Sequence, residues 1–201
     1  MVGLLLKDIL TISRHKIYFI MIIGFVLIPD EFLSNFVIVF AAMLPITAIA
    51  YDERSKWNEL QNMMPYSSRE IIYSKYILGY LLMGIVTAMS YLLHFILSIF
   101  IEEYKALIEP SIVISILGVA LIISAINMPI MFKFGVEKGR FAFIGLMALT
   151  TMLGTNLSIL EIDMFYNTNI EIIILCIALI VNILSIFISS KINLKLGGNL
   201  S

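Results

Sequence analysis

The chain has 201 residues, of which 61% are hydrophobic and 13% charged. A soluble domain carries roughly 45–50% apolar and about 25% charged residues, so one soluble core cannot hide this excess and the composition specifies an integral membrane protein. The net charge of −1 gives no footing for nucleic acid, and the single cysteine, Cys176, excludes an intrachain disulfide; within its apolar run it reads as a small buried residue.

Residues 1–14 read as an amphipathic helix lying on the membrane. At about 100° per residue, Lys7, Asp8, Thr11, Arg14 and His15 fall on one narrow arc, and Leu5, Leu6, Ile9, Leu10 and Ile12 cover the rest. The early break at Lys7 and Asp8, with no small-residue cleavage site after it, argues against a cleavable signal peptide. Ile17–Ile28 is the first apolar run. At about 1.5 Å per residue it falls short of a hydrocarbon core roughly 30 Å thick, so it spans only if Arg14, His15 and Lys16 snorkel. Pro29-Asp30-Glu31 makes a tight turn, and Phe32–Ala50 follows as the second run, with a kink expected at Pro45.

A polar segment, 51–70, comes next. Ile71–Ile101, about 31 residues, exceeds what a bilayer needs, so its first two turns are expected to project from the membrane. Glu102–Pro110 is an acidic loop, Ser111–Phe132 the fourth run, Lys133–Arg140 a short basic loop, and Phe141–Leu160 the fifth run. Glu161–Asn169 is an acidic loop, Ile170–Ser190 the sixth run and Lys191–Ser201 a tail. The expected fold is an all-α integral membrane protein with six transmembrane helices in one domain over 1–201, preceded by the interfacial helix.

Charge segregation orients this topology. With the N-terminus inside, the inner segments hold twelve of the thirteen Lys and Arg residues, and the outer loops hold only Lys105. In loops this short the bias places both termini in the cytoplasm. Eight of the fourteen acidic residues fall outside, which gives the outer mouth a negative field.

No catalytic constellation is present. There is no His-Glu-x-x-His, no Cys pair and no Gly-x-Ser-x-Gly. His94 with Glu102 and Glu103 is the one set that suggests an intramembrane peptidase, and a single histidine beside an acid pair is a poor ligand set for a metal. As a plain structural residue, His94 is expected to be buried on one hydrogen-bond partner or to line a polar cavity. The P-loop is also absent; Gly135-Val-Glu-Lys-Gly139-Arg has the wrong spacing and lacks a Lys-Ser/Thr ending, so this chain does not bind or hydrolyse ATP by that route. Asn127, Asn182, Ser98, Ser124, Thr150, Thr151 and Asn156 are expected to make interhelical hydrogen bonds or to line a path. The spans carry almost no ionisable residue near their centres, which argues against an ion-coupled carrier.

Within 51–70, Asp52 can cap a helix running to about Met63, with Trp57, Leu60 and Met64 on one side, and Pro65 stops it. Ser67-Ser-Arg-Glu70 is a capping-box pattern that starts the next helix. A short helix, a proline break and a new cap make an elbow that can receive a push from a soluble partner.

Asp52-Glu-Arg-Ser-Lys-Trp57, Met64-Pro65, Ser68-Arg69-Glu70-Ile-Ile and Ser74-Lys75-Tyr76 resemble the signature of small bacterial ABC type-2 exporter permeases, and Leu-Leu-Lys7-Asp8 is similar to their amphipathic start. Met64 stands where a Leu is usual. The resemblance implies a transmembrane permease subunit of an ATP-binding cassette exporter in the bacterial plasma membrane. It further implies pairing with a second permease copy, identical or not, and with two copies of a separate ATPase that holds ATP and magnesium. By residue match, Asp52, Glu53, Trp57, Leu60, Pro65, Arg69, Glu70 and Lys75 would couple this chain to the ATPase, Trp57 and Leu60 seated in its groove and the charges setting register. Some such permeases handle amphipathic or antimicrobial peptides, and the apolar spans here suit an amphipathic substrate. The competing readings are a membrane-embedded peptidase built on His94 and an outer acid, and a non-transporting anchor or immunity protein.

Overall fold

Apolar segments in lipid must satisfy their backbone hydrogen bonds internally, which leaves the helix as the local solution for runs such as these. The computed structural model describes residues 1–14, 16–28, 31–61, 63–102, 110–159 and 170–197, and among them every regular element is helical. In chain order these are α1 Val2–Ser13, α2 Lys16–Val26, α3 Glu31–Arg54, α4 Trp57–Gln61, α5 Ser68–Ser98, α6 Pro110–Ile159 and α7 Ile170–Gly197.

Among the described residues, four helical stretches are long and apolar enough to cross a membrane: Phe36–Arg54, Arg69–Ser98, Val113–Phe141 and Ile172–Ile192. The first apolar run is the 11-residue α2, about 16 Å long, and it reaches a span's length only together with α1. The fifth run is the second half of α6, which continues to Ile159. The expected loop at Lys133–Arg140 is instead helical on both sides of one residue, Gly135, whose backbone (φ 78°, ψ 171°) breaks the helix. A single glycine suffices because it enters this region without a Cβ clash. Residues 103–109, 160–169 and 198–201, where the acidic loops and part of the tail were expected, lie outside the described residues.

The helices pack around α3, which lies between α5 and α6, while α7 lies against α6 and α5. On α3, Ala41, Ala42, Ala48 and Ala50 are buried, and small residues let helix backbones approach closely in lipid. Pro45 sits inside α3 without ending it. A Cβ added to Gly79 of α5 would lie 3.2 Å from the Pro45 ring, so the α3–α5 crossing depends on that glycine. Two cores result. One joins Ile12, Ile22 and Val26 to the middle of α3 and to Leu78, Met83 and Val86. The other lies nearer the charged end and gathers Ile46, Ile49, Ile72, Tyr76, Met128, Met131 and Val136.

Lipid supplies little hydrophobic drive between helices, so buried polar contacts fix their register. The Tyr76 hydroxyl shares hydrogen bonds with Ser185 (2.5 Å) and Ser189 (2.9 Å). Ser185 in turn donates to the Ala125 carbonyl. Tyr80 donates to Asn182 Oδ1, and the Asn182 amide donates to Leu121 O, which ties α5, α7 and α6 together. Asn182 thus makes the interhelical bonds expected of it. Among the described residues Ser98 bonds within its own helix, to Phe95 O, and the side chains of Thr150, Thr151 and Asn156 lie outside the described residues. Asn127 is buried with no partner at either end of its amide among the described residues. Cys176 departs from expectation: it lies on the exposed face of α7, beside Ile172, Ile173, Ile177 and Ile180. A small thiol at that position faces the surroundings of the bundle as readily as an isoleucine does.

Candidate functional site

The polar segment becomes an elbow at one end of the bundle, and its parts can be built outward from α5. Ser67 takes extended backbone angles and accepts from Glu70 N, while the Glu70 carboxylate accepts from Ser67 N (3.0 Å). This reciprocal pair is the expected capping box, and it satisfies two donors that a helix start leaves open. Upstream, α4 is only five residues, Trp57–Gln61, and Met63, Met64 and Pro65 are exposed before the new cap.

The other half of the elbow differs from the expectation. Asp52 does not cap a new helix. It lies in the last turn of α3, which runs on to Arg54, and the break falls instead at Lys56, in the left-handed region (φ 53°). The reason is electrostatic: the Asp52 carboxylate has stronger partners elsewhere. Lys7 and Lys75 each donate to it at 2.5 Å. Lys75 also donates to Asp8 at 2.8 Å, and Lys7 lies 3.1 Å from the same Asp8 oxygen. The four charges form a neutral, alternating cluster that joins α1, α3 and α5. Asp8 and Lys75 are its buried half, with side chains 1% and 5% exposed, while Asp52 (13%) and Lys7 (24%) close it toward solvent. Asp8 Oδ2 has no partner among the described residues.

This placement also sets which side of α1 meets the bundle. Its charged arc is present, but Asp8, Leu4 and Ile12 face the protein, and Val2, Leu6, Ile9 and Leu10 are exposed. A carboxylate turns inward here because Lys75 waits for it there; a charge enters a low-dielectric interior only with a counter-charge.

Glu53, next in sequence, holds the far side. Its carboxylate accepts from Val136 N at 3.0 and 3.2 Å. Val136 is the first residue after the Gly135 break, so Glu53 acts as an N-cap supplied from another helix for the second half of α6. A Cβ on Gly135 would approach Glu53 Oε1 to 3.1 Å. Asp52 and Glu53 therefore clamp the end of α3 to α1, α5 and α6 at once.

Trp57 was expected as a groove anchor. Its ring is half-buried with Lys7 Nζ over it at 4.4 Å, and its indole N–H has no partner among the described residues. The side chains left outward are Leu60 (51% exposed), Met63 (84%) and Met64 (39%). Arg69 is exposed on the first turn of α5. The structure thus brings Asp52, Glu53, Trp57 and Lys75 into one braced junction, with Leu60, Pro65, Arg69 and Glu70 on its outer side. Asp8 and Lys7 belong to the junction as well. In the sequence they stand out as charges on one arc of an apolar start, with nothing to pair them with Asp52 and Lys75.

His94 is buried, 2% exposed, with Nε2 3.2 Å from Val26 O. That contact spans α5 and α2, in keeping with a structural histidine. No group of three or more metal-ligating side chains occurs among the described residues, and Glu103 lies outside them.

A family model described as "ABC-2 family transporter protein" matches residues 3–195 of the chain. No curated protein and no solved structure matches it.

Proposed function

Since this chain belongs to the ABC-2 family of transporter proteins, a family of multi-pass membrane subunits with a permease role, we propose that it forms the translocation path of an ATP-driven exporter and takes its energy from a separate ATPase. In this reading two ATPase copies, which hold the ATP and magnesium, dock on the elbow at 51–76. The chain pairs with a second permease copy, crosses the bacterial plasma membrane six times and keeps both termini inside. The substrate is amphipathic, a peptide by preference, because the spans offer apolar walls with few charges.

The observation that carries the reading is the elbow. It pairs an outward apolar surface, Leu60, Met63 and Met64, with a junction whose charges are locked to three helices. Downstream, α4 leads into the capping box that starts α5, and upstream into the end of α3, which Asp52 ties to α1 and α5 and Glu53 ties to α6. That is what coupling requires: a compliant surface for docking on a stiff lever. Trp57 serves as the prop that fixes α4 against Lys7, and Leu60 and Met63 are the docking contacts. Arg69, beside the cap, sets register by charge.

The test is co-purification with the cognate ATPase. Leu60→Glu/Met63→Glu should abolish retention of the ATPase while the permease itself stays monodisperse. ATPase binding that persists after deletion of residues 57–64 would sink the proposal. The peptidase reading is not favoured: His94 meets the Val26 carbonyl, and no group of three or more metal-ligating side chains occurs among the described residues.

A further inference from the structure

The charged end of the bundle holds more cation than the ion-pair cluster uses. Beside that cluster, α2, α3 and the part of α6 after Gly135 enclose a cavity of about 210 Å³, lined by Tyr18, Thr47, Ala50, Tyr51, Arg54 and Arg140. Among the described residues no carboxylate lines it. The nearest in sequence, Glu53, is turned away onto Val136 N. Arg54 and Arg140 have no acidic partner among the described residues. A second cavity, about 140 Å³, shares Tyr18, Thr47 and Arg140 with the first and is otherwise lined by Phe40, Met43, Leu44, Ile46 and Met131. The Tyr18 and Phe40 rings lie 6.2 Å apart along this wall.

The two cavities adjoin along these shared residues and together offer an amphipathic recess, basic at one end and apolar at the other. Two guanidiniums with no acidic partner among the described residues, beside tyrosine and threonine hydroxyls, match the planar, bidentate recognition of phosphate. A guanidinium at the edge of a bilayer is also drawn to anionic headgroups. The apolar part is the size of a cavity that takes a benzene-sized molecule, so it admits the start of an acyl chain and not the whole of it. We propose that this recess is a binding site for an anionic phospholipid from the adjoining leaflet, with its phosphate between Arg54 and Arg140 and the first part of an acyl chain against Phe40, Met43 and Met131. The site sits where α2, α3 and α6 meet, so its occupant would pin the short α2 to the bundle. It requires no ATPase and stands or falls apart from the coupling role of the elbow.

Native mass spectrometry of the full-length protein released from detergent tests the proposal, with three probes: phosphatidylglycerol, diacylglycerol of the same chains, and glycerol phosphate. Phosphatidylglycerol should be retained about tenfold over diacylglycerol, the worth of one charge-assisted hydrogen bond. Glycerol phosphate should fail to displace it at equal concentration. Arg54→Gln/Arg140→Gln should erase the preference, and Lys191→Gln, on α7, should keep it. Equal retention of diacylglycerol, or an unchanged double variant, overturns the proposal. Displacement by glycerol phosphate overturns the lipid in favour of a soluble phosphate. Should the double variant fail to fold, photo-crosslinking of the unmodified protein decides: phosphatidylglycerol carrying a diazirine high on its acyl chain must label residues 40–47 or Met131, and labelling confined to other segments refutes the site.

Discussion

Lys75→Met isolates the buried half of the charge cluster. In the native protein Lys75 lies between Asp8 at 2.8 Å and Asp52 at 2.5 Å, while Lys7 serves the same two carboxylates from the outer side. Without Lys75, one ammonium must answer two carboxylates, and the Asp8 side chain, 1% exposed, cannot turn to water. Exposed ion pairs are worth about 0–1 kcal/mol, but breaking a buried pair on one side costs about 3–5 kcal/mol. Lys7 stays within reach of Asp8, which puts the expected loss at the lower end, about 3 kcal/mol. For a chain of this size each kcal/mol moves the midpoint by about 2–4 °C, so thermal unfolding in detergent should shift down by about 6–12 °C. The lone Trp57, stacked under Lys7, supplies a fluorescence signal local to the cluster. The double variant Asp8→Leu/Lys75→Met removes the buried pair and leaves Lys7 with Asp52, a balanced pair at 2.5 Å. It should recover most of the loss, because a buried ion pair replaced by apolar groups is often neutral in stability. A shift under about 2 °C for Lys75→Met, or a double variant that loses the sum of its single changes, would refute the assignment of Asp8 and Lys75 as a buried pair.

Gly135→Ala should lower the midpoint by about 2–12 °C, since the added Cβ meets Glu53 Oε1 at 3.1 Å in a backbone region (φ 78°, ψ 171°) that costs other residues about 1–3 kcal/mol. Glu53→Ala should cost about 1 kcal/mol, a lost N-cap, and should make Gly135→Ala less harmful when the two are combined. Tyr76→Phe removes both serine contacts and should cost about 0.5–1.5 kcal/mol without altering membrane insertion, read as a midpoint shift in the same detergent. Ser67→Ala breaks the capping box and should cost about 1 kcal/mol, seen as faster amide hydrogen exchange confined to the first turn of α5. Cysteine placed at 105 should react with an impermeant thiol reagent added outside intact cells, whereas cysteine at 69 should react only after lysis; the reverse pattern would overturn the orientation.

The sequence by itself determined what is local or additive. Composition specified the membrane, periodicity the helices, and the Ser67–Glu70 spacing the cap that starts α5, because each depends on residues within a turn or on a sum over the chain. It also marked the 51–76 segment as the part to watch. It misjudged Asp52, because an aspartate before a short polar stretch has the signature of a cap, and only packing shows that two lysines claim its carboxylate first. It placed Cys176 inside because an apolar run does not say which face meets the bundle. It read Lys133–Arg140 as a loop, although one glycine with a positive φ makes the turn. The tertiary structure decided the contacts between distant segments: Asp8 meets Lys75 across 67 residues, and Glu53 caps Val136 across 83. A charge's partner is chosen by which helices the fold brings together and by how far both groups are withdrawn from water. Neither quantity is written in the spacing of residues along the chain.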